Sequence, residues 1–213
     1  MTTALRSLAI LFALLLVPPV VHAQDETPGS RKAYFYASVG DLKAEETPGQ
    51  LDGEGSSFGL VLGLGMPVRT YLAVDVEIAA YTSKYNTPPL TAPFGGSIDT
   101  RMRVTSSGIA GNARAFYEFS GGTLYAGGGI GMFWSDLTVT GTIFGFPATR
   151  TETDMSLGLQ LMAGGELAIS KESRLGVEYR RVFLKANFGE LTNGSVDVGG
   201  RYVALTYRRA FAF

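Results

Sequence analysis

Cysteine is absent from the 213 residues, and the only histidine, His22, sits close to the N-terminus. Beyond that point the chain has no Cys–His or Ser–His–Asp nucleophile and no thiolate or imidazole metal site. Charged residues make up 17%, below the usual quarter of a soluble domain, and a net charge of −1 gives no basic surplus for nucleic acid. Long apolar runs are missing as well. Past residue 23 none approaches the ~20 residues that a membrane-spanning helix needs.

What is present begins with a leader. Arg6 supplies a positive charge, Leu8 to Val17 is unbrokenly apolar, and Pro18 and Pro19 end the run. Val21-His22-Ala23 then places aliphatic and small residues where a signal peptidase reads. The expectation is a signal peptide over 1–23, cleaved after Ala23, then a short lead over 24–30 and one domain over 31–213. Cleavage removes Arg6 and His22 together, taking the net charge from −1 to −2. An exported chain without disulfides must be held by core burial or by a closed backbone network.

The period of the remaining sequence is two. From Tyr71 to Tyr81, Leu72, Val74, Val76, Ile78 and Ala80 point one way, while Asp75, Glu77 and Ala79 point the other. That is a strand with one apolar and one acidic face; wound as a helix, the acids would scatter over the apolar surface. Equivalent alternation runs over Lys32–Leu42, Phe58–Met66, Ile109–Phe119, Leu124–Trp134, Met155–Leu167, Leu175–Arg180 and Val203–Phe213. In the first of these, Tyr34 and Tyr36 compete with Phe35 and Val39 for the apolar face.

Connections between these strands alternate in length. Short ones fall at Pro67–Thr70, Ser120–Thr123 and Ser170–Ser173; long ones run over Lys43–Gly55, Asn86–Thr100, Val139–Thr153 and Gly189–Gly199. Eight strands joined in this way predict an all-β fold: an eight-stranded antiparallel up-and-down transmembrane β-barrel, with short turns in the periplasm and long loops outside. Aromatics fall near both ends of the strands. Tyr34, Tyr71, Tyr117, Phe119, Tyr125, Phe211 and Phe213 form one expected belt, and Tyr81, Tyr85, Trp134, Phe183 and Phe188 the other.

The opening strand Ala33-Tyr-Phe-Tyr-Ala-Ser-Val-Gly40 and the final strand Tyr202-Val-Ala-Leu-Thr-Tyr-Arg-Arg-Ala-Phe-Ala-Phe213, together with the leader, resemble the small eight-stranded outer-membrane proteins of the OmpA, OmpX and opacity-protein type. The resemblance covers roughly Arg31 to Phe213. It implies residence in the outer membrane, contact with its lipid and lipopolysaccharide, and delivery by the barrel-assembly machinery. Tyr207, Phe211 and Phe213 match the terminal aromatic stripe that this machinery reads, whereas Arg209 on the same face departs from it. With no peptidoglycan-binding domain after Phe213, cell-wall tethering is not implied. Barrel enzymes of this membrane such as lipid A deacylases and omptin-like proteases use an essential histidine, so the reading is no enzyme and no catalytic residue.

Two groups of residues remain as candidate sites. If the apolar face is outside, the lumen receives Asp75, Glu77, Glu118, Glu166 and Glu178 with Arg114, Arg174, Arg180 and Arg208. Eight strands leave an interior just wide enough for side chains to fill it, and charges held there must pair. The expectation is a salt-bridge plug; the competing reading is a gated pathway in which pairs exchange partners. The second group is apolar loop residues, Phe94 and Ile143, Phe144 and Phe146, as contact candidates for a host or cell-surface ligand.

Other patterns carry less. Gly127, Gly128, Gly129 and Gly131 lie inside a strand, without the strand-to-helix context of a phosphate loop, and are expected to admit bulky lumen neighbours. Glu45, Glu46, Asp52 and Glu54 match no calcium loop. No metal and no cofactor is expected. The functional expectation is a non-enzymatic surface protein that supports membrane integrity and presents its loops for adhesion or immune interaction, with a small or gated porin as the alternative.

Overall fold

Alternation with period two lets each strand turn one face to lipid and the other inward, while backbone groups pair sideways. The computed structural model describes residues 32–44, 57–86, 90–91, 97–98, 100–143, 146–189 and 195–211. Their regular structure is β: β1 (Ala33–Ala44), β2 (Ser57–Arg69), β3 (Leu72–Asn86), β4 (Leu90–Thr91), β5 (Ser97–Ile98), β6 (Thr100–Phe119), β7 (Gly122–Ile143), β8 (Phe146–Ala168), β9 (Ser173–Asn187), β10 (Ser195–Asp197) and β11 (Gly200–Phe211).

Eight of these are long and pair antiparallel in the order β1-β2-β3-β6-β7-β8-β9-β11, and β11 pairs back onto β1. The ring is therefore closed, as the sequence predicted, and the up-and-down order follows the chain. Closure satisfies the ladder of every strand without leaving an edge at membrane depth. The short strands β4 and β5 pair with each other, and β10 extends the pairing of β9.

The short connections follow from local chemistry. Ser120 and Gly121 turn between β6 and β7, with Gly121 at φ 87°, a conformation that glycine adopts without Cβ strain. Between β8 and β9, the Ser170 hydroxyl accepts the backbone N–H groups of Glu172 and Ser173 at 3.3 and 3.0 Å. Between β2 and β3 the register shifts at Pro67/Arg69, an irregularity beside the turn where proline's missing N–H is tolerated.

One connection differs from the sequence expectation. Val139–Thr153 is not a loop: β7 continues to Ile143 and β8 starts at Phe146, paired residue by residue from Val139↔Arg150 to Ile143↔Phe146. The segment is rich in threonine, which favours strands but gave no apolar alternation to detect. At roughly 3.3 Å per residue, the 22 residues of β7 extend about 70 Å. Tilted near 40°, they rise about 55 Å, twice the ~25 Å apolar band of an outer-membrane barrel. Strands β6, β7 and β8 thus continue past the band on the side of the long links, with β3 paired alongside β6 as far as Asn86↔Arg101.

The outward face is aliphatic through the band: Leu64 on β2, Val76 on β3, Ile109 on β6, Ile130 on β7, Leu159 on β8, Val177 on β9 and Leu205 on β11 are all exposed. Aromatic belts are present but thinner than the sequence suggested. Tyr71, Tyr117 and Phe119 stand outward near the short turns, and Trp134 and Phe183 near the opposite side. Tyr34, Tyr81, Tyr125 and Phe188 instead point into the barrel and are buried. Tyr36, which competed for the lipid face of β1, is also inside, leaving Val39 exposed.

Candidate functional site

The lumen is built from the inward parity of each strand, and its contents fall into layers. The central layer unites Asp75 and Glu77 of β3, Arg114 of β6, and Glu178 and Arg180 of β9. Arg114 Nε donates to Asp75 Oδ2 at 2.7 Å, and its Nη1 lies 3.3 Å from Glu178 Oε2. Arg180 pairs with Glu77, donates through Nε to Glu178 Oε1 at 3.0 Å, and reaches Gln160 Oε1 at 3.0 Å. Each of the two glutamates therefore serves both arginines. Arg180 has 0% of its surface exposed, so its charge is held by these partners rather than by water.

Neutral groups complete this layer. Tyr36 donates to Asp75 Oδ1 at 2.8 Å and also contacts Glu77; Tyr125 donates to Glu178 Oε2 at 2.8 Å. Asn112 donates to Asp75 at 2.7 Å, and Gln160 Nε2 to Glu77 and to the Asn112 carbonyl oxygen at 2.6 Å each. The Arg114 guanidinium stacks 4.1 Å above the Tyr36 ring centroid. These donors satisfy carboxylate lone pairs that two arginines alone would leave unmet.

The remaining sequence-expected charges lie elsewhere. Glu166 of β8 and Arg208 of β11 form a separate pair nearer the short turns, with the Arg208 guanidinium 4.6 Å from the Phe116 ring centroid. Glu118 and Arg174 meet at 3.2 Å in the open mouth on the side of the short turns, with the Glu118 side chain 66% exposed. The nine residues thus form a buried layer, a half-buried pair and an exposed pair, rather than one network.

On the side of the long links the lumen turns apolar. Tyr81, Tyr202 and Phe133 form an aromatic layer, with ring centroids 5.7 Å apart for Tyr81–Tyr202 and 6.5 Å for Tyr81–Phe133. Beyond it Leu42, Leu137, Leu184, Phe188 and Val198 belong to one buried cluster. A solute crossing the barrel would have to part an ion-paired layer and then an apolar one.

Glycines on neighbouring strands make this filling possible. Gly63 and Gly65 of β2 lie in register with Tyr36 and Tyr34 of β1, and a Cβ at either glycine would collide with the tyrosine ring. On β7, Gly129 faces Asn112, whose side-chain oxygen occupies the space a Cβ would need, and a Cβ at Gly127 would collide with the Ala113 carbonyl oxygen and press on Arg114. Tyr36, Tyr125, Asn112 and Gln160 were not among the residues read from sequence as the lumen network. Strict parity would have found Asn112, which shares its face with Arg114, and Gln160, which shares its face with Glu166.

A family model of the outer membrane protein beta-barrel domain matches residues 9–208. The chain belongs to this family. As an outer-membrane barrel, it lies in the cell outer membrane, with short turns in the periplasm and the β6–β7–β8 extension outside. The crystal structure of neisserial surface protein A is similar at a TM-score of 0.52 and 17% identity, over 84% of this chain and 97% of that one. The attachment invasion locus protein Ail of Yersinia pestis, solved with the heparin analogue sucrose octasulfate, gives 0.45 and 12% over 84% and 96%. The N-terminal barrel domain of Pseudomonas aeruginosa OprF gives 0.40 and 10% over 85% and 98%. No curated protein matches the sequence.

The other sequence-expected residues of the outer-membrane barrel are placed in part. Tyr207 and Phe211 lie on β11, half-buried, with the Tyr207 ring centroid 5.9 Å from that of Phe35. Phe146 opens β8 and is 76% exposed at the outer end of the extension. Ile143 ends β7, but its side chain, like Phe94, Phe144, Phe213 and the leader over 1–23, lies outside the described residues. Among the described residues no cluster of His, Cys, Asp and Glu has the form of a metal site.

Proposed function

We propose that this outer-membrane barrel is a non-enzymatic surface protein, which stabilises the membrane through its aliphatic wall and uses its outer extension to contact cells or host molecules. The observation that carries the reading is the combination of a filled lumen with strands that continue far beyond the apolar band. Strands of that length exceed what anchoring requires. On the outward face of the extension, Thr138–Thr151 and Thr140–Thr149 stand as cross-strand hydroxyl pairs at 3.2 and 3.4 Å, and Thr153 donates to Asp136 at 2.6 Å. Such a rigid, polar, hydroxyl-lined sheet presents contacts without the ordering cost of a flexible loop.

The small or gated porin needs a water path, and both the ion-paired and the apolar layers count against one. Tyr207, Phe211 and Phe213 remain the proposed assembly signal, and cleavage after Ala23 the proposed maturation step. The test of surface contact is adhesion of bacteria displaying the full chain to a cultured epithelial monolayer. A variant in which residues 138–151 are replaced by a two-residue turn, checked for barrel folding by heat-modifiable electrophoresis, should lose adhesion. Undiminished adhesion by a folded variant would refute the role of the extension.

A further inference from the structure

Strand β8 has two neighbours at membrane depth and one above it. β7 pairs with it from Gly122↔Leu167 up to Ile143↔Phe146, whereas β9 pairs with it only from Ala168↔Arg174 up to Gly158↔Leu184. Further out β9 pairs with β10 instead, and the Asn187 N–H donates to Asp154 Oδ2 at 2.8 Å where the two strands part. Among the described residues, β8 has no ladder partner opposite β7 from Phe146 to Leu157.

Hydrogen-bond parity decides which backbone groups line that edge. In an antiparallel sheet the N–H and C=O of one residue point to the same neighbouring strand, and successive residues alternate between the two sides. Ala168 N donates to Gly121 O at 2.9 Å, so the even-numbered residues of β8 bond toward β7. Ile169 N donates to Ser173 O at 3.0 Å, so the odd-numbered ones bond toward the other side. The β7–β8 register runs to Phe146 without a shift. The N–H and C=O groups of Thr149, Thr151 and Thr153 therefore point out of the open edge. Pro147 is odd-numbered as well, and its missing N–H ends the row of donors at the tip. An edge of this kind templates strand addition, and threonine favours the extended backbone it needs. Arg150 and Glu152 alternate with the threonines on the other face, 3.6 Å apart.

We propose that the edge of β8 from Thr149 to Thr153 docks an extended segment of a protein partner by antiparallel strand addition. Main-chain hydrogen bonds to the three threonines supply the affinity, and the flanking charges select the register. A strand centred on Thr151 sets one residue opposite Glu152 and, two positions later, one opposite Arg150. The fitting segment is thus β-branched at alternate positions, with a basic residue followed two positions later by an acidic one. This docking rests on the adhesive role given to the extension above and names a polypeptide as its partner.

Two fluorescein-labelled peptides of identical composition serve as probes, one with Thr-Arg-Thr-Glu-Thr at its centre and the other with Thr-Glu-Thr-Arg-Thr. Each is titrated by fluorescence anisotropy against the refolded full chain in lipid nanodiscs. The first should bind at least about threefold more tightly, because the second sets like charges directly opposite each other. T151P removes an N–H from the open edge and none from the β7 ladder, so the barrel should still fold by heat-modifiable electrophoresis. Its affinity for the first peptide should fall roughly tenfold, whereas T151V, which keeps that N–H, should bind like wild type. If T151P does not fold, T153P reads the same edge. Equal binding of the two peptides, or undiminished binding by the folded proline variant, would overturn the proposal. So would an equal loss in T151V, the result expected of a glycan that recognises the hydroxyl. Adhesion of displaying bacteria to an epithelial monolayer separates this docking from the wider surface role. Loss on replacing 138–151 but not in T151P overturns strand addition alone, and no loss in either refutes both.

Discussion

Replacing Arg180 by methionine keeps most of the side-chain volume while removing the charge that binds Glu77, Glu178 and Gln160 together. The central layer holds three carboxylates (Asp75, Glu77, Glu178) against two guanidiniums (Arg114, Arg180), all buried. The substitution leaves three buried carboxylates facing one arginine. Breaking a buried pair by removing one partner costs about 3–5 kcal/mol, and the R180M barrel should lose that much. The assay is equilibrium urea unfolding in phospholipid vesicles, read by heat-modifiable electrophoresis and by fluorescence of Trp134, the only tryptophan. Adding E77Q to R180M removes one of the stranded carboxylates. The double variant should therefore be more stable than the sum of the single losses implies, by a coupling of roughly 0.5–3 kcal/mol. A loss below about 1 kcal/mol for R180M, or strictly additive losses, would refute the claim that this layer is a coupled, desolvated plug.

Removing the exposed mouth pair with R174A should change stability by less than about 1 kcal/mol, because Glu118 stays in water; the same urea titration distinguishes it from R180M. Placing valine at Gly63 should force the Tyr36 ring from its seat and cost about 1–3 kcal/mol by overpacking, seen as a lower yield of heat-modifiable barrel on refolding. F146S, at the exposed start of β8, should leave the unfolding midpoint within the ±0.5 kcal/mol typical of surface changes. Adhesion to an epithelial monolayer tests whether Phe146 is a contact; unchanged adhesion excludes it.

The barrel itself was legible in the sequence because each strand's alternation is local. Val74, Val76 and Ile78 against Asp75 and Glu77 fix both the period and the face without reference to any other strand. The charged half of the lumen followed from the same parity. The aromatic content did not, because tyrosine is equally at home at a headgroup interface and inside a polar lumen. What places Tyr36 inside is its register opposite Gly63, and what seats Arg114 is Gly127 on β7. Those are relations between strands, invisible to a reading of each strand alone. The apolar outer layer was missed for a similar reason: Leu42, Leu137 and Leu184 come from three separate strands and meet only when the ring closes. The extension was missed because the outward residues Thr138, Thr140, Thr149 and Thr151 are polar where they leave the membrane, so the apolar signal ended before the strands did.

The most direct measurement is conductance of the refolded protein in a planar bilayer. A lumen filled by the ion-paired layer around Arg180 and by the apolar layer around Leu137 and Phe188 should pass no steady current over the background of the bare membrane. Steady, reproducible channels from folded, homogeneous protein would contradict the filled lumen and favour the porin reading instead.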